Sequence, residues 1–497
     1  MTDVCLILEG TYPYVSGGVS VCVYQLIKNL PNINFSIVHI APSGDSVKEF
    51  KYPIPNNVKE FHELFLFDFD FPPHRRSQSS KLTPEAFHLL IEFHRQVRKG
   101  NLTLFPKLYE LFFHPKKKCF EISDLLYSKE SWKILTQLYQ ESGLQSDFAD
   151  FFWNARFIYF PVFKILSSPL PKAKVYHTLC TGYAGLYGVA AKTLYQRPLF
   201  LTEHGIYTDE RRIDITQSEW IPTLLPESEL KAQRDPGFFK QWWVSFFDFL
   251  GALTYQSADA ITTIYGGNRL KQLKAGADPE KISIIPNGID VESSVLNTSE
   301  SCPKKKNPNT FRIGFMGRVV PIKDVKTFLR AIKIVQEQVS NIEVFIMGPT
   351  EEDEVYTEEC HILTDLLGLE SVVEFLGSVP PEHYYSTLDV LVLTSISEGQ
   401  PLVILEAGQY GIPVVATDVG ACRELLEGRS EEDRLLGMSG FITQMASPHQ
   451  TAQALLKLLK EESLRKQMGA VSLKRVSRFY REKDILDQYH LLYRRYL

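Results

Sequence analysis

The sequence predicts an α/β protein made of two Rossmann-like, doubly wound domains that face each other across a cleft, with a mainly helical insertion in the first domain. The 497 residues are enough for two or three domains of ~100–200 residues each. Short apolar runs alternate with helical patterns in both halves of the chain, which is typical of βαβ units. A segment rich in Ser, Asn, Pro and Lys at 293–310 separates the two series and predicts a linker.

The first series begins at the N-terminus. Val4–Glu9 is a short apolar run that ends at Gly10, a pattern that favours a buried parallel strand. A helical pattern follows over Ser20–Leu30, and Phe35–Ile40 is the next apolar run, so the three predict a βαβ unit. Four further strands of this domain are predicted at Val175–Thr178, Leu199–Thr202, Ala260–Thr263 and Ile282–Ile285.

Two aromatic-rich segments have a different pattern. Between about 63 and 170 the strand rhythm is lost, and segments such as Phe87–Gln96 and Phe151–Leu166 indicate a helical insertion. Trp242–Tyr255 is strongly apolar but contains Asp248 and is too short for a membrane span, so we predict a buried helix. The first residues lack the basic and apolar regions of a signal peptide, and we expect none.

The second series follows the linker. Its predicted strands are Phe311–Met316, Glu343–Met347, Val373–Leu376, Val390–Leu393 and Val414–Thr417. The last ~45 residues have a helical pattern. We assign residues 1–290 to the first domain, 291–478 to the second, and 479–497 to a helix that packs back on the first domain.

The composition argues against several classes of protein. The seven cysteines are widely spread and never form a Cys-x-x-Cys pair, which argues against a zinc site or a disulfide framework and for a reducing compartment. The formal net charge is −5, without the basic excess of nucleic-acid-binding proteins, so no nucleic-acid partner is expected.

A loop with two cations follows the first strand of the second domain. Gly317 permits an unusual backbone angle, and Arg318 and Lys323 lie on the same loop. Two such cations can neutralise a diphosphate, the guanidinium by paired hydrogen bonds and the ammonium as a point charge. The alternative is a pair of solvated surface cations.

A second candidate motif is a pair of glutamates at a strand–turn–helix junction. Glu398 is expected in the loop and Glu406 inside the helix, with Pro401 at the first helical position and Gln400 and Leu402 beside it. Carboxylates accept hydrogen bonds from vicinal hydroxyls, and free N–H groups at a helix start can hold an anion or a sugar. The alternative is two unrelated acids.

The first domain offers two weaker candidates. Gly17 and Gly18 open a helix after the first strand, as in a loop that approaches a phosphate, although neither a Gly-x-Gly-x-x-Gly nor a Walker A motif is present; a plain turn is the alternative. His204 follows a strand within the polar tetrad 202–205 and is expected at the edge of the cleft, or else as a structural histidine.

One further pattern argues for a metal, but weakly. Asp68 and Asp70 form an Asp-x-Asp tripeptide of the kind that holds a metal–nucleotide complex. The tripeptide lies in the irregular insertion and arises often by chance, so we predict no metal site.

Taken together, these motifs resemble glycosyltransferase family 4. The resemblance lies in the loop 317–323, the Glu-x7-Glu motif 398–406, the Pro-Asn-Gly-Ile-Asp turn 286–290 and the stretch 416–420. The segments 8–20 and 201–208 are similar to the glycosyltransferases of Pel exopolysaccharide synthesis.

The resemblance implies the GT-B architecture, with the acceptor on the first domain and the nucleotide sugar on the second. It implies a retaining, metal-independent transfer from a nucleotide-diphosphate donor, such as UDP-glucose, to a growing exopolysaccharide, without a cofactor. It also implies a cytoplasmic protein that meets an inner-membrane export complex. A nucleotide-sugar epimerase of the same architecture and a non-catalytic glycan-binding subunit remain the alternatives.

The resemblance also assigns roles to residues. Arg318 and Lys323 would bind the donor diphosphate, and Glu406 the ribose. Glu398 and His204 would contact the donor sugar near its reacting carbon. The remaining substrate contacts would come from the glycine pair 17–18 and the helix start 400–402.

Overall fold

The computed structural model describes residues 1–15, 17–46, 49–68, 83–118, 122–144, 147–221, 237–291 and 309–497. The chain divides into two compact units. The N-terminal unit comprises residues 1–263, 268–283 and 490–497, and the C-terminal unit comprises residues 264–267 and 284–489. Each unit is built on one sheet of parallel strands, which confirms the predicted fold class of two Rossmann-like α/β units.

The N-terminal sheet has the strand order β3-β2-β1-β4-β5-β6-β7. Its strands are β1 Thr2–Glu9, β2 Phe35–Ala41, β3 Val58–Phe65, β4 Ala173–Thr178, β5 Leu199–Glu203, β6 Ala260–Thr263 and β7 Ile282–Ile284. The order reverses between β1 and β4, and parallel sheets bind ligands at the strands' carboxyl ends beside such a reversal.

Helices cover this sheet and form the predicted insertion. Among the described residues up to 283, the helices are Gly18–Asn29, Pro84–Lys99, Phe105–Phe112, Ile122–Tyr127, Lys129–Ser142, Phe148–Ser167, Tyr183–Tyr195, Tyr207–Gln217, Gly237–Ser257 and Gly266–Lys274. Those between β3 and β4 are the helical insertion, which is confirmed. Local signals fix the first of them: Thr83 accepts a hydrogen bond from the Ala86 N–H, and the helix stops at Gly100, whose φ is +69°.

The apolar helix Gly237–Ser257 is buried, as the sequence predicted. Trp242 stacks on Phe151 of the insertion with ring centroids 5.2 Å apart. The neighbouring Trp243 donates a hydrogen bond to the Asn154 side chain at 3.1 Å. This helix therefore joins the insertion to the sheet unit. Within the described ranges, no helix has the length and apolar character to cross a bilayer.

The C-terminal sheet has the order β10-β9-β8-β11-β12-β13, again with a reversal, here between β8 and β11. Its strands are β8 Phe311–Met316, β9 Ile342–Met347, β10 Val373–Gly377, β11 Val390–Leu393, β12 Val414–Thr417 and β13 Gly440–Thr443. Its helices are Val325–Gln336, Glu354–Leu366, Glu382–Tyr385, Leu402–Gln409, Cys422–Glu427, Glu431–Arg434, Pro448–Lys460, Glu462–Phe479 and Glu482–Arg494.

The strand prediction was incomplete at both sheets. β3 and β13 were not predicted, and both are edge strands. The last three residues of β3, 63–65, overlap the segment assigned to the insertion, but they pair with β2 and belong to the sheet. The other predicted strands are confirmed to within two residues of their ends.

The last residues of the chain return to the N-terminal unit. The Tyr493 hydroxyl lies 2.6 Å from Nδ1 of the buried His177 on β4. Its ring stacks on Phe200 of β5 with centroids 5.9 Å apart. Burial lowers the pKa of His177 to about 3, so this imidazole is neutral and serves as a hydrogen-bonding element of the core.

Candidate functional site

The loop after β8 lies directly at the reversal of the C-terminal sheet. Gly317 has φ +154° and donates its N–H to the Met347 carbonyl at 2.9 Å. A Cβ on Gly348 would lie 2.1 Å from the Gly317 carbonyl oxygen, so the loops after β8 and β9 touch backbone to backbone. Glycine is thus required at both positions, and their contact fixes the course of the loop that carries Arg318 and Lys323.

The structure brings two of the sequence motifs together at this point. The Lys323 ammonium lies 2.5 Å from Oε1 of Glu398, and the Ser395 hydroxyl donates to the same oxygen at 2.6 Å. The two charged side chains are only 17% and 11% exposed. The loops after β8 and β11 are therefore joined by a largely shielded ion pair beside the strand reversal.

The stretch after β12 supports the Glu398 loop. Gly420 has φ +54°, and a Cβ there would lie 2.3 Å from the carbonyl oxygens of both Glu398 and Gly399. The Ala421 N–H donates to the Gly399 carbonyl at 2.8 Å. Gly420 is thus a glycine because only a bare Cα allows the two loops to meet, and the loop after β12 fixes the backbone next to Glu398.

Arg318 is placed differently from Lys323. Its guanidinium pairs with Glu352 at 2.5 Å, and both side chains are about half exposed. Exposed pairs of this kind contribute only about 0–1 kcal/mol, so the guanidinium can exchange its partner for a stronger anion.

Glu406 lies inside the helix Leu402–Gln409, as predicted. Its Oε2 accepts a hydrogen bond from the Tyr385 hydroxyl at 2.7 Å, and burial raises the pKa of Glu406, with the negative charge of Glu382 adding to the shift. The expectation for Pro401 was wrong by one residue, because Pro401 has extended backbone angles and precedes the first helical residue.

Gln400 has a structural task that the sequence did not indicate. Its amide nitrogen donates to the Asn287 carbonyl at 3.0 Å, and its amide oxygen accepts from the Asn287 N–H at 2.7 Å. The side chain therefore holds the turn 286–290 against the helix start. Substrate contact at Gln400 would come through its backbone, since both ends of its amide are already bonded.

In the N-terminal unit, a buried carboxylate supports the tetrad 202–205. Glu203 is fully buried and accepts hydrogen bonds from the Tyr255 hydroxyl at 2.6 Å and the Gln272 amide at 2.9 Å. Burial raises the pKa of Glu203 to about 7 despite these donors. Glu203 was not among the predicted site residues, although an acid at the end of a mostly apolar strand is a signal that the sequence contains.

His204 follows it and is 9% exposed. Burial lowers the pKa of this imidazole to about 4, so it is neutral at physiological pH. Its Nε2 has no hydrogen-bond partner among the described residues. A shielded, neutral ring nitrogen without a partner favours a polar ligand atom at this position over a purely structural histidine.

Another carboxylate at the strand ends was missed. Glu9 is the last residue of β1 and accepts hydrogen bonds from the Tyr207 hydroxyl at 2.5 Å and the Ala184 N–H at 3.1 Å. The second contact caps the helix Tyr183–Tyr195. Glu9 thus connects the end of β1 to the helix Tyr207–Gln217, which follows the tetrad 202–205.

Gly17 and Gly18 lie at the exposed start of the helix Gly18–Asn29. A Cβ at either position would meet no atom within 4 Å, and the φ of Gly17, 161°, is ordinary extended backbone. Neither packing nor backbone strain explains the two glycines, which leaves room for a ligand as the reason for them.

The metal hypothesis gains little from the structure. The Asp68 carboxylate accepts a hydrogen bond from the Gly44 N–H at 2.8 Å, while Asp70 lies outside the described residues. Among the residues that the structure describes, no group of three or more His, Cys, Asp or Glu side chains could hold a metal ion.

Two family models match the chain. Residues 2–280 match the model described as "Domain of unknown function (DUF3492)". Residues 298–475 match the model described as "Glycosyl transferases group 1". The second match, which covers the C-terminal part of the chain, confirms the predicted enzyme class of glycosyltransferase. Membership of family 4 stays a prediction.

Curated relatives match the same class. The chain is 27% identical over 203 residues to the D-inositol 3-phosphate glycosyltransferase of Corynebacterium glutamicum, covering 39% of this chain and 47% of that protein. It is 27% identical over 229 residues to the capsular polysaccharide biosynthesis glycosyltransferase CapM of Staphylococcus aureus, covering 44% and 57%. The chain thus spans about half the length of these relatives.

Solved structures match over nearly the whole chain. HepE of Anabaena in complex with UDP and glucose covers 99% of both chains with a TM-score of 0.57 at 15% identity. The sucrose-phosphate synthase of Thermosynechococcus elongatus covers 99% and 98% with the same TM-score and identity. At this identity the likeness establishes the shared GT-B fold.

Proposed function

The chain belongs to the family described as "Domain of unknown function (DUF3492)", and we propose that it is a glycosyltransferase that takes a hexose from a UDP-linked donor. The ion pair between Lys323 and Glu398 is the observation that carries this proposal. The cation and the carboxylate come from two separate motifs and lie where the strand order of the C-terminal sheet reverses. In sheets of this type, nucleotides bind beside such a reversal.

The cations would act on the leaving group. When the bond between the sugar and the diphosphate breaks, negative charge grows on the diphosphate, and cations already in place stabilise that charge. Lys323 is held in place by Glu398, whereas Arg318 is bonded only to an exposed glutamate. We assign the fixed contact to Lys323 and an exchangeable one to Arg318.

The carboxylates would orient the rest of the donor. Glu406 keeps one oxygen on Tyr385 and would accept a ribose hydroxyl through the other. Glu398 keeps Oε1 on Lys323 and Ser395 and would accept a sugar hydroxyl through Oε2. Both glutamates are thus oriented by protein contacts before the donor binds, which lowers the entropy cost of binding.

His204 would bind the sugar rather than transfer a proton. With its pKa lowered to about 4, it is too weak a base to deprotonate an acceptor hydroxyl near neutral pH. Its unpartnered Nε2 is suited to a hydrogen bond with a donor hydroxyl. We propose that the leaving phosphate takes the acceptor proton, that the reaction retains the anomeric configuration, and that no metal takes part.

For the acceptor we propose a growing exopolysaccharide. The support is the resemblance of the N-terminal motifs to PelF, the glycosyltransferase of Pel synthesis, together with a relative named for capsular polysaccharide biosynthesis. The same resemblance supports a cytoplasmic location and an inner-membrane export complex as partner. Gly17 and Gly18 would let the donor approach the backbone closely, since nothing in the protein fills the space above them.

The test is a calorimetric titration of the full chain with UDP in the presence of EDTA. Saturable binding to one site is the expected result. Binding that appears only after manganese is added would overturn the metal-free assignment and direct attention to Asp68 and Asp70. No binding under either condition would contradict a UDP-linked donor.

Product analysis then separates the enzyme classes. With UDP-glucose and no acceptor, a transferase gives only slow hydrolysis, whereas an epimerase gives an altered nucleotide sugar. A non-catalytic subunit would bind soluble glycan without nucleotide and leave UDP-glucose intact.

A further inference from the structure

The helical insertion contains a cavity that the proposed sugar transfer does not use. Its volume is about 90 Å³, and it lies among the helices Pro84–Lys99, Lys129–Ser142 and Phe148–Ser167. Most of its wall consists of apolar side chains, such as those of Leu90 and Leu138. An apolar cavity of this order of size takes hydrocarbon groups rather than sugars, because it offers few partners for hydroxyls.

One cation lines this cavity. The guanidinium of Arg156 lies 4.2 Å from the ring centroid of Phe160 and 5.0 Å from that of Phe152. Burial among these rings lowers the pKa of Arg156. Among the described side chains, the hydrogen-bond partner of Arg156 is the neutral Tyr127, and no carboxylate pairs with it, although Arg95 on the same insertion is bonded to two glutamates. Arg156 is therefore a half-buried positive charge without an anion.

Exposed aromatic rings continue outward from this cation. They form what we name the aromatic surface, and its members are Trp132, Trp153, Phe157 and Trp220, which are 53%, 55%, 43% and 64% exposed. The Phe152 ring packs on the guanidinium of Arg156, and its centroid lies 6.0 Å from that of Trp132 and 5.3 Å from that of Trp153. Trp153 in turn packs on Phe157, and Phe157 on Trp220. Large exposed apolar surfaces of this kind mark interaction sites, and tryptophan is enriched where protein meets the bilayer interface.

We propose that the helical insertion binds the surface of an anionic phospholipid bilayer, with Arg156 on a lipid phosphate, the aromatic surface in the interface and part of one acyl chain in the cavity. The guanidinium, which has no anionic partner among the described side chains, matches a phosphate in charge and in geometry. The adjacent apolar cavity matches the chain of the same molecule. A glycan would satisfy the exposed rings, but it would leave both the cavity and the cation without a partner.

The test is co-sedimentation of the full chain with vesicles, measured without nucleotide so that it is independent of the proposed sugar transfer. We expect binding to vesicles of phosphatidylcholine with phosphatidylglycerol and much weaker binding to phosphatidylcholine alone. Arg156→Gln should weaken binding to the anionic vesicles about five-fold. The matched control is Arg330→Gln, an exposed arginine of the C-terminal unit, which should bind as the unaltered chain does.

The cavity is tested with phospholipids that carry bromine near the end of the acyl chain and quench nearby tryptophans. Ala155 lines the cavity, so Ala155→Leu should reduce this quenching while anionic vesicles still bind. If that variant does not fold, Leu126→Phe fills the same space from a less buried position.

Three results would overturn the proposal. The first is equal binding to both kinds of vesicle, or binding that Arg156→Gln does not change. The second is binding of monomeric dodecyl phosphate without binding of vesicles, which would indicate a soluble amphiphile. The third is binding of a soluble oligosaccharide that is lost in Trp132→Ser and Trp153→Ser without any vesicle binding, which would indicate a glycan surface.

Discussion

The candidate residues of the two units differ in how their charges are balanced. In the C-terminal unit, Arg318 and Lys323 each face a glutamate, so both cations are held in ion pairs. In the N-terminal unit, the Glu203 carboxylate accepts hydrogen bonds from neutral donors only, and the neighbouring His204 is neutral. An anionic ligand can replace the exposed Glu352 beside Arg318, whereas the donors to Glu203 are buried and bonded within the fold. The first set is arranged for ligand exchange and the second for rigidity.

The largest expected effect separates catalysis from stability. Lys323→Ala should reduce turnover at saturating donor by about 10²–10³-fold, because one group that stabilises the leaving diphosphate is lost. The free energy of unfolding should fall by about 1–3 kcal/mol, because Glu398 loses its counter-ion but keeps Ser395 as a donor. Lys326→Ala is the matched control, because Lys326 is three residues away and pairs with Glu359. Unchanged turnover in Lys323→Ala would contradict the role of Lys323 in stabilising the leaving diphosphate.

Glu203→Gln should have the opposite signature, with an effect on stability that depends on pH. The folded state raises the pKa of Glu203 from 4.5 to about 7, so the folded protein holds this proton more tightly than the unfolded chain does. Stability from this group is full below pH 4.5 and is lost as the pH rises to about 7, a difference of about 3 kcal/mol.

The measurement is urea unfolding of both proteins between pH 4.5 and 7. The unaltered chain should lose stability relative to Glu203→Gln over this window, and the histidines cancel because both proteins contain them. A constant difference across the window would mean that Glu203 is ionised in the folded state, and its network would then resemble the charged set of the C-terminal unit.

Glu406→Ala should have a smaller and more specific effect. The loss of a carboxylate that accepts ribose hydroxyls should weaken UDP binding about ten-fold. Tyr385 loses its acceptor in the same variant, so Tyr385→Phe is the control that separates the two contacts. Calorimetry should show normal UDP affinity in Tyr385→Phe. Equal weakening in both variants would assign the effect to the fold rather than to the ribose.

The smallest effect tests the idea of exchangeable partners. Glu352→Gln removes the carboxylate that faces Arg318, and UDP should bind about two-fold more tightly at low salt. The gain should disappear at high salt, because exposed pairs are screened. Weaker UDP binding in this variant would mean that Glu352 positions the guanidinium instead of competing for it.

The sequence was sufficient to predict the strands that are buried on both faces. β11 is a continuous apolar run, and β8 is apolar except for Arg312; the ends of both strands were predicted to the residue. β3 was missed because it is an edge strand in which Lys59, Glu60 and other polar residues face solvent. β13 was missed because it has four residues and begins with Gly440, where a Cβ would lie 1.9 Å from the Val414 carbonyl oxygen. Strands without a clear apolar run can be identified only from their hydrogen-bonded pairing with a neighbouring strand in the structure.

The candidate site was predictable by position but not by contact. Motif spacing placed Arg318 and Lys323 at the end of β8 and Glu398 after β11, and the sheet order then brings these ends together. The sequence could not indicate that Lys323 pairs with Glu398 while Arg318 pairs with Glu352, because partner choice depends on loop geometry. The polar network of Glu203 was likewise hidden, since its donors come from two other helices.

The hydrogen bond between Tyr493 and His177 has a consequence for how the protein is made. The ribosome completes the seven strands of the N-terminal sheet long before it adds Tyr493. At about 5–20 residues per second, the segment between Ser283 and His490 takes on the order of 10–40 s to synthesise. During that interval the nascent N-terminal unit lacks the ring that covers Phe200 and the hydroxyl that bonds His177. The N-terminal unit is therefore synthesised first but completes its core packing last. A chain released early would leave Phe200 without the Tyr493 ring and His177 without its hydrogen bond.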